Sequence, residues 1–200
     1  MKLGALGMIF EPFNKKKEMK NLMLLGMLLV FMGGCKSVDS AAKVEKALAT
    51  KNLVENTDYE MSFTWANPLF SNEIAQLSNA NLLPLESRSG RINLLGSANY
   101  IKKRGDSLEI YLPYYGTRQI GVQMGSNNGA IEFTGIPTDY KLEYNEKKRH
   151  SEISFKMKED TERYRVYITV DAEQNVSVNL NSTQRTSIKY TGKLKALKEE

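Results

Sequence analysis

The chain is expected to be mainly β: an antiparallel β-sandwich or open barrel with one short N-terminal α-helix. Three observations carry that expectation. From residue 59 onward apolar residues recur at every second position, the period of a strand with one packed face and one wet face. Turn-forming clusters interrupt this alternation about every ten residues, as in sandwiches and barrels. No long helical pattern lies between the strand-like runs, which argues against a parallel α/β sheet.

The helix comes first, over residues 40–53. Ala41, Val44, Ala47 and Leu48 fall at helical spacing, Ser40 can cap the first turn, and Lys43, Glu45 and Lys46 take the other side. Tyr59, Met61, Phe63 and Trp65 then alternate with Glu60, Ser62 and Thr64 in a strand that ends near Asn67-Pro68. Residues 69–90 are interrupted by Asn, Ser and Pro84 and read as a surface excursion or a short helical turn. Arg104-Gly105-Asp106 separates two strand-like runs and signals a hairpin whose second strand turns Leu108, Ile110 and Leu112 inward. The same tripeptide is an adhesion motif, but a Gly-Asp pair is what a tight turn requires, and the turn is the preferred reading. Ile131 and Phe133 share a face. Tyr140, Leu142 and Tyr144 precede a charged turn at 145–149. Ile153, Phe155 and Met157 precede a turn at 158–162. Tyr164, Val166, Ile168 and Val170 form the longest alternation, followed by Val176, Val178 and Leu180, and finally by Ile188 and Tyr190.

The N-terminus reads as an address. Lys15, Lys16, Lys17 and Lys20 precede a short apolar run from Leu22 to Gly34, the layout of a secretory signal and too short to span a bilayer comfortably. The run ends in Met32-Gly33-Gly34-Cys35. Small residues directly before a Cys at this place resemble a bacterial lipoprotein signal, which implies diacylglycerol and palmitate at Cys35 and cleavage after Gly34. Met19-Lys20-Asn21 is the more typical start for such a leader. The expected organisation is a signal peptide over residues 1–34, a lipidated tether over 35–40 and one β-rich domain over 41–195. Lys36 stands where an Asp would favour inner-membrane retention, so the outer membrane is the expected location.

Composition narrows the chemistry. The 200 residues hold 28 Lys and Arg against 23 Asp and Glu, a net charge of +5. Five of these lysines and two of the glutamates fall in residues 1–34; the remainder carries 23 basic and 21 acidic residues, a net +2 that gives no footprint for nucleic acid. The lone Cys cannot form an internal disulfide or a thiolate zinc cluster, and the lone His cannot supply a paired-histidine metal site. His150 lies beside the charged turn at 146–149, and the chain has no Gly-x-Ser-x-Gly nucleophile element. Glu109, Glu132, Asp139 and Glu152 are acidic but belong to no catalytic motif. No cofactor is expected.

Two stretches stand out as ligand or interface candidates. In Leu112-Pro113-Tyr114-Tyr115-Gly116 a Pro ends a strand and two aromatics enter a loop, where Tyr114 and Tyr115 can stack on a ligand or plug the end of a barrel. Arg118 follows shortly. In Asn181-Ser182-Thr183-Gln184-Arg185 a polar connection contains Arg185, a candidate for a buried pair that holds the last hairpin.

Taken in order, Trp65-Ala66-Asn67-Pro68, Gly105-Asp106-Ser107, Leu112-Pro113-Tyr114-Tyr115-Gly116, Gly129-Ala130-Ile131-Glu132-Phe133, Asp139-Tyr140-Lys141-Leu142 and the run from Asn181 to Gly192 resemble a Bacteroidota lipoprotein family known as domain of unknown function 4251. The resemblance covers roughly residues 40–192. The family pattern places Arg directly after the aromatic-Gly element, whereas here Thr117 precedes Arg118. The resemblance implies an exported, lipid-anchored, mostly β domain and brings no known catalytic or ligand residues. The expected function is that of a non-enzymatic binding or accessory module, with the membrane as one partner through Cys35 and a protein or small molecule as another. The alternatives are a carrier of a small apolar or sugar ligand in a β-barrel cavity and a hydrolase built on carboxylates.

Overall fold

The structure, a computed structural model, describes residues 38–69, 90–118 and 129–197. Among them are one helix, α1 (Val38–Asn56), and ten strands: β1 (Tyr59–Pro68), β2 (Ile92–Asn93), β3 (Tyr100–Arg104), β4 (Ser107–Pro113), β5 (Ala130–Gly135), β6 (Thr138–Asn145), β7 (His150–Glu159), β8 (Glu162–Asp171), β9 (Asn175–Ser182) and β10 (Ile188–Ala196). Gly34, Cys35, the leader, and most of the 69–90 and 121–129 segments lie outside the described residues.

All ten strands belong to one antiparallel sheet, curled into a half-barrel. The expected β-rich fold with a short N-terminal helix is therefore present, in its open-barrel form. The hydrogen-bonded path is β5-β4-β3-β1-β10-β9-β8-β7-β6, with β2 set against β1 beyond β3. Antiparallel neighbours alternate in direction along this nine-strand path, so its two edge strands, β5 and β6, run the same way. Only Ile136 and Pro137 separate them in the chain. Three Cα steps span about 11 Å at most, so β6 continues β5 as a kinked extension that leaves β4 and joins β7. The sheet curls because one short path must serve both of its edges.

Burial follows the expected alternation where strands are regular. Tyr164, Val166, Ile168 and Val170 point inward, as do Ile153, Phe155 and Met157, and Val176, Val178 and Leu180. They join Tyr59, Met61, Leu112, Ile131, Tyr190 and Leu194 in one core cluster that fills the concave side. Burying a side chain of this size stabilises by roughly 1.5–3 kcal/mol.

β1 departs from its expected register. Thr64 forms a bulge: Phe63 faces Gly192, yet Trp65 faces Thr191. One extra residue flips the side-chain phase, so Ala66 and Pro68 turn inward. Trp65, expected on the inner face with Phe63, lies on the outer one, with the Arg91 guanidinium 4.2 Å from its ring centre. The Phe63 N–H falls in the gap between β2 and β3, and the Asn99 side chain accepts its hydrogen bond at 2.6 Å. Opposite the bulge, a Cβ on Gly192 would sit 2.6 Å from the Phe63 Cα and collide with the Ser62 carbonyl; only glycine permits this backbone approach. The two-residue strand β2 carries too little alternation to be legible in sequence.

The helix also differs from expectation. Its buried positions are Ala47, Thr50 and Val54, with Leu53 half-buried, whereas Ala41, Val44 and Leu48 are exposed. The cause is that only the second half of α1 meets the sheet. It crosses the end of the half-barrel at which β1 starts, and the Thr50 hydroxyl donates to the Ala172 carbonyl in the β8–β9 turn at 3.2 Å. Ser40 lies inside the helix rather than at its cap. The helix ends where Thr57 returns both its N–H and its hydroxyl to the Leu53 carbonyl. The remaining turns are tight. Gly105, at φ +56°, lies in the β3–β4 hairpin and donates its N–H to Asp58. Asp160 and Thr161 alone join β7 to β8, a shorter turn than the 158–162 span expected.

Two outcomes test these contacts. Gly192→Ala should lower unfolding stability by about 2 kcal/mol or more, within the overpacking range, while Gly129→Ala, whose Cβ would meet open space, should be near neutral; urea titrations compare them. On the β3–β4 face Tyr100 donates to Glu109 at 2.6 Å, and this bond, ahead of burial, raises the Tyr100 pKa from 10.0 to about 12. A raised folded-state pKa means that the contribution of the bond to stability is complete below pH 10 and is lost as pH rises towards 12. Phenolate absorbance should show one tyrosine titrating late among the exposed ones, and Glu109→Ala should move it down.

Candidate functional site

The end of the half-barrel opposite α1 is built from the start of β8, the end of β9 and the loops after β4 and β9. Glu162 opens β8 in the same inward phase as Tyr164 and Val166, so its carboxylate is buried. A buried carboxylate persists only if it is paired and hydrogen-bonded. Arg185 Nε donates to its Oε2 at 3.2 Å and Arg118 Nη2 to the same oxygen at 3.3 Å. Ser182 Oγ donates to Oε1. The Ser182 hydroxyl oxygen in turn accepts the N–H groups of Gln184 and Arg185, at 2.9 and 3.1 Å. Arg118 also reaches Gln184 Oε1 at 3.3 Å.

The tyrosines complete this cluster. Tyr114 packs against the core, its ring centre 5.0 Å from the Arg185 guanidinium. Its hydroxyl lies 2.8 Å from Thr186 Oγ1 and 3.0 Å from the Thr186 carbonyl. The loops are also tied through their backbones: Thr186 N–H donates to the Thr117 carbonyl at 3.0 Å, and Arg118 and Arg185 form an isolated antiparallel bridge. Tyr190 donates to the Pro113 carbonyl at 2.9 Å. Burial pushes the hydroxyls of Tyr164 and Tyr190 far above the ordinary phenol range and that of Tyr114 upward, so all three stay protonated. Tyr115 is half-buried beside them.

The structure thus brings Tyr114, Tyr115, Arg118 and Arg185 together. Their neighbours in the cluster are mostly one another and Glu162, which makes the cluster a latch between two loops and β8. Glu162 itself was hidden in sequence because it sits at the edge of a turn; its one signal was its phase with Tyr164 and Val166.

The other acidic candidates are dispersed. Glu109 takes the Tyr100 hydroxyl, Asp139 pairs with Lys156, and Glu152 lies 2.5 Å from His150, whose hydrogen bond holds the Glu152 carboxyl below its usual range. Glu159 and Glu132 approach at the seam between β7 and β5, where burial pushes the Glu159 carboxyl up although the Glu132 N–H supports its charged form. The grooves are lined mostly by outward-facing residues of the sheet, and the one beside Arg163 also touches Met157 and Tyr164 of the core. Among the described residues no helix is long and apolar enough to cross a membrane.

Comparison with known families identifies the domain. The family model described as a domain of unknown function, DUF4251, matches residues 41–194. The chain belongs to the DUF4251 family. A crystal structure of a DUF4251 family protein from Bacteroides eggerthii is similar over 78% of this chain and 89% of that one, at 14% identity and a TM-score of 0.49. No curated protein matches the chain. The DUF4251 match begins six residues after Cys35 and ends within β10, so it reaches every described strand and covers all of the latch.

Glu162→Gln should destabilise the domain by about 3–5 kcal/mol, because it leaves the buried Arg185 guanidinium beside a neutral amide. Replacing Glu162 and Arg185 together by Leu and Met should recover part of that loss. Chemical denaturation of the three proteins checks this; equal stability of the Glu162→Gln and parent proteins would refute the latch.

Proposed function

We propose that this DUF4251 chain is an exported lipoprotein, acylated at Cys35 after cleavage behind Gly34, that acts as a non-enzymatic binding module through its outer surface. The observation that carries the reading is the position of the sole Cys. It closes a basic-then-apolar leader, it directly follows Gly33-Gly34, and it lies three residues ahead of the start of α1. The family match beginning at residue 41 supports a division between a processed leader and a folded body. One acyl chain gives marginal membrane affinity and two give stable anchoring, which diacylglycerol supplies. The first turns of α1, exposed over residues 41–46, suit a stand-off that holds the domain clear of headgroups. The outer membrane is the proposed location.

A binding role at the surface is supported by how the interior is used. The concave side is occupied by a continuous set of large side chains, among them Tyr59, Tyr164, Tyr190 and Met61. A carrier would need that volume for its cargo, so the exterior reading is favoured over the cavity reading.

Cells supplied with an alkyne-tagged palmitate should label the parent protein, and the mature chain should begin at Cys35 by mass spectrometry. Cys35→Ala should abolish the label and leave the leader attached. A labelled Cys35→Ala protein would sink the anchor.

A further inference from the structure

Across β10, β1, β3 and β4 the outward-facing charges alternate in sign. Lys195 stands opposite Glu60, Glu60 opposite Lys102, and Lys102 opposite Glu109. Across β7 and β8 that order fails twice in succession: Lys156 stands opposite Arg165, and Lys158 opposite Arg163, all four exposed. Like charges directly opposite destabilise a sheet. Lys141 on β6 adds a fifth exposed cation, opposite Ser154.

Little within the described residues offsets this charge. Asp139 Oδ2 lies 2.6 Å from Lys156 Nζ, an exposed pair of small value. Among the described residues Lys141, Lys158, Arg163 and Arg165 form no ion pair, and neither does Asp160 in the adjoining turn. The like-charged acidic pair on the same face, Glu143 opposite Glu152, lies nearer the α1 end and is answered by His150.

The surroundings of the cations narrow what could neutralise them. Two grooves of about 620 and 630 Å³ run over this face and share Lys156 and Arg165. Tyr167, 48% exposed, stands two residues from Arg165, with Ser154 and Asn179 opposite it, and Asn181 lies opposite Arg165. Successive outward residues on one strand are about 6.8 Å apart and adjacent strands about 4.8 Å apart. The cations therefore form a ladder along two strands rather than a cup, and an extended polyanion matches it. Of the large apolar side chains exposed among the described residues, Tyr167 alone belongs to β6–β9, with Ile136 in the turn before β6. An inserting membrane surface would carry aliphatic wedges, and a protein interface an apolar centre.

We propose that the outer face of β6–β9 binds an acidic polysaccharide. Its carboxylate or sulfate groups meet the Lys and Arg ladder, a sugar ring lies on Tyr167, and its hydroxyls meet Ser154, Asn179 and Asn181. This deepens the exterior-binding reading above and does not depend on the lipid anchor.

The test uses the full-length chain in neutral detergent with polygalacturonate as the probe. Calorimetry should show binding to polygalacturonate and none to neutral dextran, weakening as salt rises and the Debye length shrinks. Lys158→Glu should weaken that binding roughly fivefold or more while raising the melting temperature, because it places opposite charges across from each other at Arg163; opposite shifts in affinity and stability cannot come from misfolding. Tyr167→Ala should weaken polygalacturonate binding and leave binding to poly-L-glutamate unchanged. The proposal is overturned if polygalacturonate does not bind, if either variant binds it as the parent does, or if poly-L-glutamate or soluble dihexanoyl-phosphatidylglycerol binds as tightly. Cys35→Ala should keep its polygalacturonate affinity, so loss of the anchor and loss of glycan binding are read separately.

Discussion

Ile136 and Pro137 impose the constraint from which most of this architecture follows. A sheet of nine consecutively paired strands ends in two edges, and here a two-residue connection holds them within reach of each other. A flat sheet cannot satisfy that connection, so the sheet curls until β6 takes up the line of β5. The curl brings all the inward phases together, and tyrosines, branched aliphatics and methionine fill the space. It also limits the open edges, which in a flat sheet invite pairing with other chains.

The two ends of the half-barrel are closed by different physics. At one end the second half of α1 lays Ala47, Thr50 and Val54 on the core, and a single hydroxyl bond to Ala172 fixes its approach. At the other end an apolar plug is replaced by a buried carboxylate held by two arginines, a serine and a shell of tyrosines. Replacing such a cluster by apolar residues of similar volume is often neutral or stabilising. Its use here is geometric: the Glu162 group accepts from Arg118 after β4 and from Arg185 after β9, so it specifies which loops meet. Tyr114, Arg118 and Arg185, which in sequence look available to a ligand, spend most of their polar capacity on that fit.

Among the described residues the concave side is packed and both ends are closed, which leaves the convex surface open to a ligand. Its charge is unevenly ordered. Neighbouring strands on the β1 side present matched charges, which add stability, whereas β7 and β8 present repelling ones. A sheet that tolerates two successive repulsions in its interior strands retains a positive field that an external anion can meet, and Tyr167 gives that field an aromatic floor.

Much of the fold is legible in the sequence alone. The alternations at 153–157, 164–170 and 176–180, the Gly105 turn and the helix-before-sheet order all reappear in place, because alternation and turn chemistry are steric properties of a few adjacent residues. The failures share a different origin. Thr64 looks like any outward threonine, and only the pairing of Phe63 with Gly192 and of Trp65 with Thr191 reveals the bulge that turns Trp65 out. Val44 and Leu48 look like a core stripe, but the sheet reaches only the later half of α1, where the polar Thr50 is buried instead. Glu162 looks like part of a turn until Arg118 and Arg185 arrive from positions far along the chain. The repulsion of Lys158 and Arg163 is equally silent, since register fixes which residues stand opposite. Local sequence sets the period, the turns and the address-like Cys35 motif; which strands meet, in what register and with which charges opposed is settled only when distant segments compete for the same neighbours in three dimensions.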